Sequence, residues 1–438
     1  MADRRTLDGT WTGVGKVPNR LTVDATERGG AVTNGLASVM PPSVLNLAPA
    51  ATYDLVVLSH LRWDFVYQRP QHLLTRCARE RRVFFVEEPM GYDGPPRMDV
   101  SVREDGLHVA TPWIQQGLTL EEGETIQQGL LDTLMAEYQI KQYVLWYYTP
   151  MAMGFSAHLK PIATVYDCMD ELSAFAGASR KLRDHEQELF GRANVVFTGG
   201  QSLYESKKTQ HHRVFAFPSS VDVQHFAQAR QAQPDPADQA AIPHPRIGFF
   251  GVIDERLDID LVRSIAALRP DWHLVMIGPV AKVDPESLPR AANIHYLGGK
   301  SYKDLPKYLS GWDVAILPFA RNESTRFISP TKTPEYLAAG RPVVSTSIRD
   351  VVRPYGKQQL VRIADAPEAF VDAIGAALAE DASLRLRKVD AYLSTISWDR
   401  TWSQMRERIQ QAIDSRPVAF PLARAATPNA GAVPLSAG

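Results

Sequence analysis

From residue 53 onward, short runs of consecutive apolar residues alternate with segments whose apolar positions recur every three or four residues. Leu55–Ser59, Val83–Glu87, Tyr143–Tyr147, Ile162–Tyr166, Val195–Thr198 and Val214–Phe217 are such runs, each bounded by turn residues. Runs without a polar face suit strands covered on both sides, as in a parallel sheet. The segments between them, among them Pro70–Arg79, Thr125–Tyr138 and Arg180–Arg192, predict helices. A second series follows: Ile247–Phe250, His273–Ile277, Ile294–Leu297, Val314–Leu317, Val343–Thr346 and Leu360–Ile363. Two successive runs of strand–helix alternation predict an α/β chain with two doubly wound, Rossmann-like domains. The boundaries expected are 51–230 and 246–396, joined by the polar, proline-rich stretch 231–245 as a linker. Residues 1–50 and 416–438, rich in Ala, Gly, Pro and Thr, lack sustained periodicity and read as disordered tails.

Composition narrows the class. A chain of 438 residues with 45% hydrophobic content is long enough for two cores. A net charge of −1 gives no bulk argument for nucleic acid. Cys77 and Cys168 are the only cysteines, too few for a disulfide framework and consistent with a reducing compartment. The start, Met1-Ala2-Asp3-Arg4-Arg5, leads into polar sequence without an apolar stretch of the signal-peptide kind, and no apolar run approaches a membrane span. The expectation is a cytoplasmic protein.

The stretch from Ser329 to Thr346 concentrates the candidate chemistry. Ser329 or Thr331 can cap a helix whose first turn holds Lys332 and Pro334, and Gly340 ends it before the strand Val343–Thr346. A helix start with free N–H groups, a cation and hydroxyls suits a phosphate. Glu335, one turn in, can accept hydrogen bonds from a ribose diol. A capped surface helix would carry much of the same pattern.

This stretch, SPTKTPEYLAAGRPVVST, resembles the donor-binding signature of retaining, nucleotide-sugar-dependent glycosyltransferases of the GT-B fold, the group 1 or family 4 type. More loosely the resemblance extends from about Tyr53 to about Ile413. It implies that Glu335 binds the donor ribose as the second Glu of an E-x7-E pair, while the first position holds Phe327 instead. It implies that a turn after the first strand of the second domain, Gly251 to Arg256, supplies a glycine and a cation for the diphosphate. The second cation of that pattern is absent from Leu257–Arg263, which leaves Lys332 to supply it. The turns at Gly278 and Gly298 would bring backbone toward the base. A final helix within 397–415 would cross back to the first domain. No cofactor and no metal are implied, because the diphosphate meets cations and a helix start. The partners implied are a nucleotide-sugar donor and a saccharide or lipid-linked saccharide acceptor, with peripheral contact at the inner membrane face.

The first domain would then supply the acceptor side. His60 to His72 joins the first strand to its helix, with polar and aromatic residues dense in it. Trp63, Gln68, Arg69, Pro70 and His72 resemble the opening loop of a bacterial surface-polysaccharide subgroup, and His60, Trp63 and Arg69 are the acceptor-binding candidates. Aromatic residues in such a loop more often pack. Tyr166 to Glu171 places three acids within five residues at a strand's carboxyl end. Asp170 and Asp167 are the catalytic candidates, able to orient sugar hydroxyls or to face positive charge at the anomeric carbon. The alternative is capping of the next segment by Asp170, with Asp167 bonded to a neighbouring loop.

Competing motifs fail on spacing. The first strand is followed by no glycine, and Gly299-Lys300-Ser301 lacks the upstream glycine of a phosphate loop. Asp258-Ile259-Asp260 mimics a metal-binding pair but opens a helix, where acids are favoured anyway. His211-His212 lacks a spaced third ligand. The arginines between Arg76 and Arg82 read first as a solvated helix face and only second as a surface for anionic lipid. Two rival functions share the nucleotide half: a nucleotide-sugar epimerase, and a non-catalytic nucleotide-sugar or polysaccharide binder.

Overall fold

The apolar runs become strands because helices and loops cover both faces of the sheets they build. The computed structural model describes residues 53–103, 105–174 and 178–415. The tails expected at 1–50 and 416–438 lie outside the described residues. In the first half the strands are β1 (Asp54–Leu58), β2 (Val83–Val86), β3 (Met90–Gly91), β4 (Arg97–Val102), β5 (His108–Ile114), β6 (Tyr143–Tyr147), β7 (Ala163–Cys168), β8 (Val195–Thr198) and β9 (Val214–Ala216). Among the described residues they form one sheet in the order β3-β5-β2-β1-β6-β7-β8-β9, with β4 antiparallel on β5. β3, β4 and β5 fall outside the apolar runs for a physical reason. β4 turns most of its positions to solvent, and β5 contains Pro112, which cannot donate to a ladder.

The second half contains β10 (Arg246–Phe250), β11 (His273–Ile277), β12 (Ile294–Gly298), β13 (Val314–Leu317), β14 (Val343–Ser345) and β15 (Arg362–Ile363). They lie in the order β12-β11-β10-β13-β14-β15, all parallel. Each sheet reverses its winding beside its first strand, between β1 and β6 in one and between β10 and β13 in the other. The crevice beyond the carboxyl ends of those strands is where open α/β sheets bind ligands.

The stretch 231–245, expected as the linker between the domains, packs as a strap on the second domain. Gln239 is fully buried, accepting from Trp312 Nε1 at 3.0 Å and donating to the Tyr308 carbonyl at 3.0 Å. Asp235 pairs with buried Arg246 at 2.7 Å. The second domain also claims Val221, Phe226 and Ala229 for its core, so it begins before the boundary expected at 230.

The C-terminal helix, Trp398–Asp414, belongs to the first domain's core. Ser397 caps it by accepting from the Arg400 N–H at 3.1 Å. Trp398, Trp402, Met405, Ile409 and Ala412, one helical stripe, are buried with Leu73, Leu74 and Val57 of the first domain. Arg76 pairs with Asp399 at 2.9 Å, and Arg406 pairs with Glu80 at 2.7 Å. Arg82 pairs with Asp54 at 2.6 Å. Arg76 and Arg82, two of the cations considered for a lipid surface, are thus engaged within the protein. Among the described residues no helix is long and apolar enough to cross a membrane.

Several contacts join the domains around the cleft. Asp350 of the second domain accepts from the Ser202 N–H at 3.0 Å at the start of a first-domain helix. Tyr67 stacks on Tyr302 with centroids 4.5 Å apart. Phe327 packs against the first domain's apolar cluster.

Candidate functional site

The second-domain half of the site begins where β10 and β11 end. Gly251 and Gly278 adopt φ of +148° and +146°, a region glycine enters without strain. A Cβ on Gly278 would stand 1.8 Å from the Gly251 carbonyl oxygen, and one on Gly251 would stand 2.1 Å from Lys332 Cε. The glycines let the two turns meet and let the Lys332 side chain lie across them. Lys332 opens the helix Lys332–Ala338. Neither Ser329 nor Thr331 caps it with a side chain, contrary to the sequence expectation; the Ser329 carbonyl instead accepts from Ser219 Oγ at 3.0 Å. The helix is held by burial: Thr333, Tyr336, Leu337 and Ala338 are fully enclosed.

Charges converge on the Lys332 ammonium. Burial lowers its pKa, with Arg256 acting in the same direction, while Glu335, Asp254 and Asp170 act against the shift. Glu335 is 5% exposed, and burial pushes its carboxyl up to about 7 despite the pull of Lys332. It makes no side-chain hydrogen bond or ion pair with a described residue. The Arg256 guanidinium is gripped by Asp254 through Nε at 2.9 Å and Nη2 at 2.6 Å. Asp254 went unnoticed in the sequence, although an acid two residues before a proposed phosphate-binding arginine is a readable signal. The two cations, Arg256 and Lys332, share one wall of the cleft.

The first domain supplies the facing wall. Asp170 is half-buried, lines the same cleft as Arg256, Ser329, Thr331 and Lys332, and makes no side-chain hydrogen bond with a described residue. The segment carrying Asp170 is anchored from behind: buried Lys207 pairs with Glu171 at 2.9 Å and with Glu186 at 2.9 Å. Lys207, on the helix Gln201–Lys207, gave no sequence signal because its partners are distant along the chain.

Two carboxyl-end candidates separate here. Asp167 is fully enclosed, and its two oxygens accept from Arg69 Nε at 3.0 Å and Nη2 at 2.9 Å. Arg69, 2% exposed, also donates to the Phe217 carbonyl at 2.7 Å. Both are committed to a buried ion pair at the floor of the cleft, so Asp167 is corrected from a catalytic to a structural placement and Arg69 has its donors occupied. Trp63 is likewise a core residue: its ring meets Phe85 edge-on at 5.1 Å, and its backbone N–H donates to Glu87 Oε1 at 2.6 Å. It is not available to an acceptor. His60 lies just beyond β1, where burial lowers its pKa to about 4 against the pull of Asp170.

Other sequence candidates settle plainly. Gly298 has φ +69° with open space around it, at the end of β12. Arg321 pairs with Asp365, and Arg326 with Glu323. Asp258 caps its helix through the Leu261 N–H at 2.9 Å, and Asp260 pairs with Arg263, so the apparent metal pair is helix chemistry. Among the described residues no group of three or more His, Cys, Asp or Glu is placed to hold a metal ion.

Two mostly parallel sheets with a charged cleft between their carboxyl ends define the GT-B architecture. Solved structures share it: sucrose-phosphate synthase from Thermosynechococcus elongatus at TM-score 0.63 and 14% identity, over 83% of this chain and all of that one. Anabaena Alr3699/HepE, solved with UDP and glucose, gives TM-score 0.57 at 13% identity over 81% of this chain and 99% of that one. An E. coli trehalose-6-phosphate structure bound with UDP-2-fluoro glucose gives 0.61 at 11% identity, over 83% of this chain and all of that one. Residues 244–380, most of the second domain, match the family described as glycosyl transferases group 1. TuaH of Bacillus subtilis (strain 168), named for teichuronic acid biosynthesis as a glycosyltransferase, is 28% identical over 236 residues, 50% of this chain. The chain covers 59% of that relative's length.

Proposed function

We propose that the protein is a glycosyltransferase that moves a sugar from a nucleoside-diphosphate donor to a hydroxyl of a saccharide or lipid-linked saccharide, in cell-surface polysaccharide synthesis. The observation that carries this reading is the convergence of Asp170 from one domain with Arg256 and Lys332 from the other across a single cleft. The group 1 match over the second domain and the TuaH likeness support the reaction class, and the UDP-bound neighbours support the donor class.

The chemistry follows from the charges. As the sugar–phosphate bond breaks, negative charge grows on the departing diphosphate, and fixed cations that face it lower the barrier. Arg256, pinned by Asp254, and Lys332, laid across Gly251, are such cations and need no metal to act. Asp170, opposite them, faces the positive charge that develops at the anomeric carbon. Glu335 receives the ribose hydroxyls. Retention at the anomeric carbon rests on the resemblance of residues 329–346 alone, and the anomeric configuration of the product, read by NMR, decides it.

Thermal-shift titration with UDP, GDP and ADP tests the donor half, since a ligand that binds the folded state raises its melting point. Glu335→Ala removes charge-assisted hydrogen bonds of about 1.5–3 kcal/mol, so nucleotide affinity is expected to fall by roughly one to two decades. Unchanged affinity in the folded variant would remove Glu335 from the site. Consumption of the nucleotide-sugar that depends on an added acceptor marks transfer; consumption without one marks the epimerase reading.

The raised pKa gives a signed pH effect. Below pH about 7 Glu335 takes up a proton and loses acceptor capacity, so nucleotide affinity is expected to weaken between pH 7.5 and 6 in wild type and not in Glu335→Gln. For the empty protein the sign is opposite. The folded state keeps a proton that the unfolded chain sheds above about 4.5, so ionised Glu335 costs stability increasingly from there to pH about 7. Glu335→Gln should therefore melt above wild type at pH 8 and level with it at pH 5.

A further inference from the structure

Asp170 stands between two residues that one short stretch of chain holds. On one side, Met169 lies under Gly199: the Gly199 N–H donates to the Cys168 carbonyl at 2.9 Å, and a Cβ on Gly199 would stand 2.5 Å from the Met169 carbonyl oxygen. On the other side, Glu171 pairs with Lys207 at 2.9 Å. Gly199 precedes the helix Gln201–Lys207 and Lys207 ends it. Whatever sets the place of that helix therefore sets the backbone that carries Asp170.

The grip on the helix comes from the other domain. Asp350 is 6% exposed, and its Oδ1 accepts from the Ser202 N–H at 3.0 Å and from the Ser202 hydroxyl. The N–H groups of a first helical turn have no partner within the helix, and a carboxylate there satisfies one. A Cβ on Gly200 would collide with Asp350 Oδ2 and stand 2.8 Å from Ser329 Cβ, so glycine is what admits both second-domain groups. Arg349, next to Asp350, pairs with Glu205 of the same helix. Phe327 packs against the apolar cluster that contains Leu203. Position 327, where the resembled pattern has its first Glu, is thus spent here on seating one domain against the other.

We propose that Asp350 is a positioning residue for sugar transfer: from the second domain it fixes the Gly199–Gly200 turn and the helix after it, and through Met169 and Glu171 it aims the Asp170 carboxylate. The inference rests on the glycosyltransferase reading with Asp170 at the reacting centre. Gly199 and Ser329 line the cleft with Asp170, whereas Asp350 stands behind them. With no side-chain hydrogen bond of its own to a described residue, Asp170 takes its aim from the backbone beneath it. Arg256, Lys332 and Glu335 all belong to the second domain, which keeps them in place whether or not Asp350 holds Ser202. The effect of Asp350 therefore falls on turnover and spares nucleotide capture. Misplacing a reacting group by about 1 Å can cost about a hundredfold in rate.

Asp350→Ala is compared with Asp350→Asn, which keeps an oxygen for the Ser202 N–H. In Asp350→Ala kcat is expected to fall by about one to two decades, with UDP affinity from thermal-shift titration held within about threefold, and Asp350→Asn to recover most of kcat. A double-mutant cycle separates aiming from mere stabilisation. In an Asp170→Asn background, Asp350→Ala should lower kcat by less than about threefold, because no carboxylate is left to aim. Additive losses overturn the proposal, as does wild-type kcat in Asp350→Ala or a loss of UDP affinity as large as the loss of kcat. Amide hydrogen exchange reads the same hold without turnover: peptides spanning 168–171 should exchange at least about tenfold faster in Asp350→Ala, and those spanning β10 and β11 at the wild-type rate. If the wild type consumes no nucleotide-sugar, or Asp170→Asn keeps full turnover, the parent reading fails, while faster exchange at 168–171 still supports the hold of Asp350 on that segment. Unchanged exchange there overturns the proposal whatever the activity.

Discussion

Lys332→Met is expected to lower kcat/KM for sugar transfer by about two to three orders of magnitude, the range seen when one charge-stabilising donor is removed from an active site. The loss should fall on kcat as well, because the ammonium meets more charge on the departing diphosphate than on the bound donor. Nucleotide affinity should fall far less than turnover. Burial already weighs against the protonated form of Lys332, so a thioether of similar length should leave the melting point level or higher. Glu335 loses the cation that restrains its upward shift, and the pH at which nucleotide binding weakens should move higher. A variant with wild-type turnover would place the diphosphate elsewhere. A variant that melts much earlier would mean that Lys332 is structural.

Asp167→Ala should have the largest effect on stability. It leaves the Arg69 guanidinium, 2% exposed, in the core without its carboxylate. Breaking a buried pair from one side costs about 3–5 kcal/mol. For a domain of this size that is a fall of roughly 10 °C in melting point. The double change Arg69→Met with Asp167→Leu removes both charges together, and should recover most of the loss, since an apolar replacement of a buried pair is often neutral. Failure of the double variant to recover would show that the Arg69 bond to the Phe217 carbonyl carries the stability instead. A selective kinetic defect in a thermally intact Asp167→Ala would return Asp167 to the reaction.

Much of the architecture was legible because burial on both faces writes a strand as an unbroken apolar run. β6, β8, β11 and β13 begin and end where those runs do. β5 was hidden by Pro112, and β15 is shorter than its run because the Leu360 N–H turns back to the Tyr355 carbonyl. The helix Leu120–Glu137 starts five residues before the predicted Thr125, although its capping box, Thr119 with Glu122, stands in the sequence. Motif spacing pointed to Lys332, Glu335 and Arg256, of which Arg256 and Lys332 line the cleft. It put Asp170 only slightly ahead of Asp167, because the partner that claims Asp167 lies 98 residues earlier. Trp63 misled for a related reason: a loop aromatic reads as exposed until the strand beneath it, here Phe85 of β2, is placed.

The return of helix Trp398–Asp414 to the first domain also orders events during synthesis. The ribosome releases β1 to β9 and then the whole second domain before the five apolar residues from Trp398 to Ala412 emerge. Until then the groove beside Leu73, Leu74 and Val57 stands open, and the nascent first domain exposes apolar surface that an unfinished chain cannot cover. The second domain can close around its own sheet as soon as β15 and the helices after it are made. In this chain the domain translated first is the one completed last.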